Sequence, residues 1–285
     1  MKTAQIKAFG ITDVGLVRKE NEDAFSTDDI LRLYVVADGM GGHLAGEVAS
    51  RMAVDLINKS FRKWTYSETP VDELYGEPDL SLSRAGNYIL SSIRLANRII
   101  YERANAFEHL KGMGTTVALL ILMPEMVISA NVGDSRVYLI RNRQIERISR
   151  DHSIIADQIE MGVMTIEEAG KSPMKHVLTR NLGSSEDVEP EIFEIEPSNN
   201  DRFILCTDGL TDLISDDEIK LMVEKEDNPE ILCQDFIGTT LKRGGHDNAT
   251  VISVCLSDID KPKIRPLKGV GGLLSGFFNK GLRKK

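Results

Sequence analysis

Cysteine is scarce in this chain: three residues in 285, Cys206, Cys233 and Cys255, far apart and set among apolar neighbours. No Cys-x-x-Cys occurs, and no two histidines stand at ligand spacing, which argues against zinc and leaves the thiols as buried, reduced groups of a cytosolic protein. Long apolar runs are missing too. Nothing reaches the roughly 18 residues of a membrane span, and the opening MKTAQIKAFG lacks the apolar core of a signal peptide. Positive charge is short as well: the formal net charge is −9, which excludes a body that binds nucleic acid electrostatically. The shortage is uneven, because residues 261–285 hold eight Lys/Arg and no acid, leaving −17 on residues 1–260.

What is present suffices for one large core, with 41% hydrophobic and 28% charged side chains. Residues 31–37 read as a strand. Ala45, Val48, Ala49, Met52, Ala53, Leu56, Ile57 and Phe61 then recur at helical spacing. A loop over 65–80 leads to a second helix carrying Ile89, Ile93, Ala96, Ile100 and Ala104 on one side. A meander follows: TTVALLIL, a turn at Pro124, MVISANVG, SRVYLIR, a turn near Asn142, and IERIS. Residues 151–185 show short helical patterns with little core and read as a mobile surface insertion. EIFEIE and RFILCTD are strands. One helix opens on Ser215 and Glu218 in capping-box spacing, another runs from Asn228-Pro229 to Gly244-Gly245, and ATVISVCLS is the last strand. Grouped strands and grouped helices predict an α+β fold. There is no internal repeat, and the expectation is one domain over 1–257 with a tail over 258–285.

Several of these apolar strands meet aspartates. LYVVADGMGG ends on Asp38, SANVGDSR on Asp134, FILCTDGLTD on Asp208 and Asp212, and Asp247 stands just before the last strand; VGLVRKENEDAF adds Glu22 and Asp23, with Arg18 upstream. Any one of them reads as a tight turn, since Asp-Gly and Asp-Ser favour turns without chemistry. Together they point elsewhere: carboxylates gathered at one place repel, and a divalent cation relieves that. All-oxygen donors suit Mg²⁺ or Mn²⁺, and Gly39, lacking Cβ, can bring its own carbonyl close to such an ion. Two ions sharing a carboxylate would acidify a water and clamp a phosphoryl group, with Arg18 placed to bind the phosphate oxygens.

RKENEDAF, VVADGMGGHLAGEVAS, GTTVALLIL, ANVGDSRVYLI, LTRNLG, LCTDGLTDLISDDEI and DNATVISV resemble, in order and spacing, the motif set of the type 2C metal-dependent serine/threonine protein phosphatases, the bacterial branch most nearly. The resemblance covers about residues 5–257. It implies a β-sandwich of two antiparallel sheets flanked by helix pairs, with a metal centre at one end. It further implies that Asp38 bridges two ions and Gly39 offers its carbonyl to one. Asp208 and Asp247 would ligate the other, and Glu22 and Asp23 would hold metal-bound waters. Asp134, Asp208 and Asp212 would make a weaker third site, and Arg18 would take the phosphate. Residues 151–185 match the segment the family calls the flap, where substrate is selected. Met40 departs from the eukaryotic pattern, in which a histidine there is thought to protonate the leaving group. A thioether donates no proton, so His43 and metal-bound water are the candidate acids; His109, His152, His176 and His246 receive no role.

The expected activity is hydrolysis of phosphoserine and phosphothreonine in proteins by direct attack of water, opposing a serine/threonine kinase. A small-phosphoester phosphatase and a lapsed scaffold domain are the rival readings. In the tail, Val270, Leu273, Leu274, Phe277, Phe278 and Leu282 make one apolar helical face near Lys280, Arg283 and Lys284. Five glycines from Gly269 onward keep that helix from forming alone, so the tail is expected to need a surface: a membrane, a protein partner or the acidic body itself.

Overall fold

The computed structural model describes residues 5–41, 44–170 and 172–258. Two antiparallel sheets face each other. One runs β1 (Gln5–Asp13), β11 (Ala249–Ser257), β10 (Arg202–Cys206), β7 (Arg136–Arg141), β8 (Gln144–Arg147). The other runs β2 (Asp23–Asp28), β3 (Leu33–Met40), β5 (Val117–Leu122), β6 (Val127–Val132), β9 (Glu191–Ile195), with the short β4 (Gly114–Thr115) beside β3. This is the expected α+β sandwich.

Strand alternation decides which side chains meet. Tyr34 and Val36 of β3 join Leu120, Leu139, Phe203, Leu205, Ile252 and Val254 between the sheets. Leu33, Val35 and Ala37 point the other way, against α1 (Leu44–Tyr66) and α2 (Arg84–Ala106). On the far side, Ile204, Cys206 and Val251 pack under α6 (Asp216–Lys225) and α7 (Pro229–Lys242). Each central strand is therefore buried on both faces, which is why its sequence is a continuous apolar run.

The helices begin and end where the sequence marks them. Small residues on α1, Gly46, Ala49 and Ala53, let it lie close on the sheet, and Glu47 in its first turn and Lys63 in its last suit the helix dipole. Ser215 and Glu218 form the predicted capping box, and Asn228 caps α7 with Pro229 at its first position. Asn142 and Arg143, both with φ near +60° (53° and 61°), make the tight hairpin between β7 and β8.

Two expectations change. The strand predicted over 31–37 spans Leu33–Met40 instead, so Asp38 and Gly39 lie within it rather than in a turn. Backbone pairing holds them there: Asp38 stands opposite Asp23 and Gly39 opposite Thr115. The strand over Gln5–Asp13 has no counterpart in the sequence reading.

Among the described residues, 151–185 carry the short helices α3 (Ile154–Glu160) and α4 (Ile166–Ala169). The segment returns along the sandwich end through bridges Ser153–Leu178 and Thr115–Leu182. Its root is tied by charge: Arg136 Nε and Nη2 reach Asp151 at 3.0 and 2.7 Å, and Arg147 adds a contact at 3.2 Å.

Candidate metal centre

Asp38 continues the alternation of Tyr34 and Val36, so its side chain points between the sheets, at the end where their apolar filling stops. The strand is clamped at that residue. Thr116 N and Thr115 Oγ1 donate to the Asp38 carbonyl at 2.9 and 2.8 Å, while Asp38 N donates to Thr116 Oγ1 at 2.9 Å. Thr116 Oγ1 also meets Ser135 Oγ at 2.7 Å, tying β3 to the loop that carries Asp134.

Close backbone approach explains the glycines. A Cβ on Gly39 would stand 2.2 Å from the Gly46 carbonyl oxygen, and one on Gly209 would stand 2.0 Å from that of Asn248. Gly39 thus seats the start of α1, and Gly209 draws α5 (Asp208–Thr211) against the Asp247 loop. Asn248 completes the assembly: its Oδ1 accepts from Glu22 N at 2.8 Å, and its Nδ2 donates to the Val14 and Glu20 carbonyls. Segments from four parts of the chain are fixed around one point.

The carboxylates there crowd each other. Asp23 and Asp38 are cross-strand partners on the same face, an arrangement that like charges oppose. Asp23 is buried, and its Oδ2 accepts from Thr207 and Thr250 hydroxyls at 2.9 and 2.6 Å. Burial above all, with the charges of Asp208 and Asp247, still pushes Asp23 up to about 7. Burial and Asp208 push Asp134 up to about 7 likewise. Asp38 lies well above the ordinary carboxylate range, through burial and then the charges of Asp23 and Asp208 and a hydrogen bond with Asp208. Burial works to raise Asp208 as well, but hydrogen bonds with His176 and Asp38 outweigh it and hold Asp208 low.

The chain's own basic side chains complete the picture. Arg18 Nη2 lies 2.8 Å from Asp247 Oδ2, Lys175 Nζ 2.6 Å from Asp212 Oδ1, and His176 Nδ1 3.3 Å from Asp208 Oδ2. His246 Nε2 stands 3.5 Å from Asp212 Oδ2. With these partners in place, no three His, Cys, Asp or Glu side chains among the described residues are arranged as a finished metal-binding group. The donor chemistry nevertheless fits a hard divalent cation. Every candidate side chain offers carboxylate oxygen, and Asp23 Oδ1 and Asp208 Oδ1 are buried without a hydrogen-bond partner. A second charge-relieving partner is what such oxygens lack.

All the described residues expected at this centre, Arg18, Glu22, Asp23, Asp38, Gly39, Asp134, Asp208, Asp212 and Asp247, are at one end of the sandwich. His43 lies outside the described residues. His176 and His246, given no role from sequence, touch the carboxylates, as does Lys175. Nothing in their spacing signals it; the only available hint was His246 standing next to Asp247. The Met40 sulfur accepts from Asn181 Nδ2 at 3.3 Å, consistent with a thioether that gives no proton. The cysteines offer no nucleophile: burial pushes the thiols of Cys206 and Cys233 up to about 12.

His152 is buried and acts on the Asp134 loop from the root of the insertion. Its Nδ1 accepts from Gly133 N at 3.2 Å, which requires a neutral ring. Burial first, then the charges of Arg180 and Arg150, pushes its pKa down to about 4 from 6.5. The unfolded chain therefore binds this proton from pH 6.5 downward while the folded chain resists it to about 4. Stability present at neutral pH is lost across that window, by roughly 3 kcal/mol at its acid end. His152→Asn, which keeps an acceptor but no titration, is expected to flatten the acid limb of a urea-stability profile between pH 7 and 4.5. The neighbouring carboxylates titrate in both proteins and cancel in the difference. Identical slopes would contradict the assignment.

The comparisons with known proteins agree with this geometry. The family model described as Protein phosphatase 2C matches residues 17–247. The serine/threonine phosphatase stp of Listeria monocytogenes is 33% identical over 246 residues, covering 85% of this chain and 93% of the relative. The crystal structure of the serine/threonine phosphatase Stp1 from Staphylococcus aureus is 33% identical with a TM-score of 0.77, covering 89% of this chain and 96% of that one. A structure of the catalytic domain of the phosphatase PstP in complex with two manganese ions is 30% identical with a TM-score of 0.75, covering 90% of this chain and 100% of that one. With a family model spanning most of the chain, relatives matched along nearly their whole length and a sandwich whose acidic end suits hard cations, the chain belongs to the protein phosphatase 2C family of metal-dependent serine/threonine phosphatases.

Proposed function

We infer that this protein hydrolyses phosphoserine and phosphothreonine in proteins, using Mg²⁺ or Mn²⁺ held at the acidic end of the sandwich. The observation that carries this reading is the position of Asp38, aimed between the sheets and surrounded by Asp23, Asp134 and Asp208. Asp38 and the Gly39 carbonyl would hold one ion, and Asp38, Asp208 and Asp247 the other. Glu22 and Asp23 would accept hydrogen bonds from water beside them. Two such ions supply an acidified water and positive charge for the phosphoryl oxygens. Arg18 would orient the phosphate: a guanidinium has five N–H donors, so its contact with Asp247 leaves others to present. With the buried thiols inert, water rather than a side chain is the attacking group.

A peptide carrying phosphothreonine and a sugar phosphate, assayed side by side with Mn²⁺, test the substrate class. Turnover of the peptide at far higher kcat/KM supports the reading. Preference for the sugar phosphate favours the small-phosphoester alternative, and no turnover of either favours a lapsed domain. The phosphoprotein reading also places a serine/threonine kinase and its substrates as partners.

Asp134, Asp208 and Asp212 would hold a third, weaker ion. Asp134→Ala is expected to remove the weakest Mn²⁺ in a calorimetric titration and lower activity, while the two tighter ions stay, because fewer carboxylate oxygens bind a hard cation less well. Unchanged stoichiometry and rate would make Asp134 a turn residue only.

Among the described residues no helix is long and apolar enough to cross a membrane. The basic tail lies outside the described residues from 259 onward. Its sequence supports reversible binding to anionic membrane, each basic charge contributing about 1 kcal/mol near the surface. Liposome co-sedimentation of the full chain at low salt, against a chain ending at Asp260, checks this; equal amounts in the supernatant would rule the membrane out.

A further inference from the structure

We propose that Lys175 and His176 form a displaceable counter-charge on the outer cation site, so that the 172–178 turn and the third ion compete for Asp208 and Asp212. The proposal rests on the assignment of Asp134, Asp208 and Asp212 to that ion. Lys175 Nζ holds Asp212 Oδ1 at 2.6 Å, and His176 spans the two acids, Nδ1 at 3.3 Å from Asp208 Oδ2 and Nε2 at 3.7 Å from Asp212 Oδ2. A hard cation binds such oxygens at roughly 2.0–2.6 Å, in the space that the Lys175 and His176 side chains occupy, and it meets the Lys175 ammonium beside the same oxygen. An ion on Asp212 Oδ1 and the ammonium on the same oxygen repel, so each weakens the hold of the other.

The turn is built to leave. It is pinned at its C-terminal end, where Ile154 N donates to the Val177 carbonyl at 3.0 Å and Thr179 N to that of His152 at 2.9 Å. Between those anchors and Ser172 it holds itself by local bonds, Lys175 N to the Ser172 carbonyl and Met174 N to Ser172 Oγ. Met174 and Val177 are 42% and 38% exposed and belong to none of the apolar clusters between the layers, so little core is uncovered when the turn lifts. Among the described residues, the side-chain contacts that hold it on the acidic end are those of Lys175 and His176 with the two aspartates. Binding of the outer ion then releases the turn, and seating of the turn weakens the ion, each by the same factor. The outer site thereby couples cation supply to the position of the segment beside the catalytic carboxylates.

The test uses the full chain, titrated with Mn²⁺ by calorimetry, as wild type, Lys175→Met, the double variant Lys175→Met/His176→Ala, and Asp134→Ala. Hydrogen exchange of peptides covering 153–178 is followed in parallel, with and without saturating Mn²⁺. Removing the competitor should tighten the weakest Mn²⁺ class about fivefold in Lys175→Met and further in the double variant. Wild-type exchange in the turn should rise when that class fills, whereas the double variant should exchange fast throughout. If Asp134→Ala loses the weak class but the Lys175 and His176 variants bind it as wild type does, the competition is refuted and the site reading stands. If Asp134→Ala keeps the wild-type weak class, the site reading fails and the proposal falls with it.

Discussion

Asp38→Asn should leave a folded protein whose phosphatase activity is lower by about a thousandfold or more. The fold tolerates the change because the amide keeps the shape of the side chain and places no charge among carboxylates that already crowd this one. Asp23 opposite, Asp208 and Asp134 all press on Asp38, and the strand itself is held by Thr115 and Thr116 through backbone atoms that the substitution does not touch. Without added metal the variant should therefore be no less stable than wild type. Activity falls because an amide has a single acceptor oxygen and no charge with which to hold two cations together. A kcat within tenfold of wild type at saturating Mn²⁺ would contradict the role given to this residue.

Asp151→Ala should cost stability rather than chemistry, by about 3 kcal/mol. Arg136 is largely buried, its side chain 23% exposed, and Asp151 accepts from both its Nε and its Nη2. Removing the carboxylate leaves the guanidinium with Tyr138 Oη at 3.1 Å and the Asp216 carboxylate at 4.0 Å, neither of which replaces a paired charge. Lys59–Asp55 provides the contrast: with side chains 74% and 68% exposed, Asp55→Ala should cost well under 1 kcal/mol. Urea unfolding at neutral pH measures both. A lowered midpoint at unchanged slope is the expected signature for Asp151→Ala, and equal midpoints for the two variants would show that burial does not distinguish these pairs.

The acidic end of the sandwich was legible in the sequence because aspartates stood at or beside apolar strands, and the order of the motifs fixed which of them belong together. The helices were legible from spacing and caps, as Ser215 with Glu218 and Asn228 with Pro229 show. β1 was not, since QIKAFGITD mixes Lys7, Gly10 and Thr12 into its alternation. Gly10 makes physical sense only in the folded chain, where a Cβ would stand 2.8 Å from the Phe25 ring. The run of β3 past Ala37 was hidden for a related reason: Asp-Gly reads as a turn until Asp23 and Thr115 are seen to pair with it. Lys175 and His176 were the least legible. They reach Asp208 and Asp212 along an irregular path through residues 151–185, where no periodicity ties position in the chain to position in space. The threonines that hold Asp23 are equally hidden, because Thr207, just after β10, and Thr250, in β11, are far apart in sequence and meet only through the pairing of β10 with β11.

The most direct measurement is anomalous diffraction from crystals of this protein grown with Mn²⁺. The account predicts two strong peaks on either side of the Asp38 carboxylate, one within coordination distance of the Gly39 carbonyl and the other beside Asp208 and Asp247. Peaks that leave Asp38 without a metal contact would contradict it.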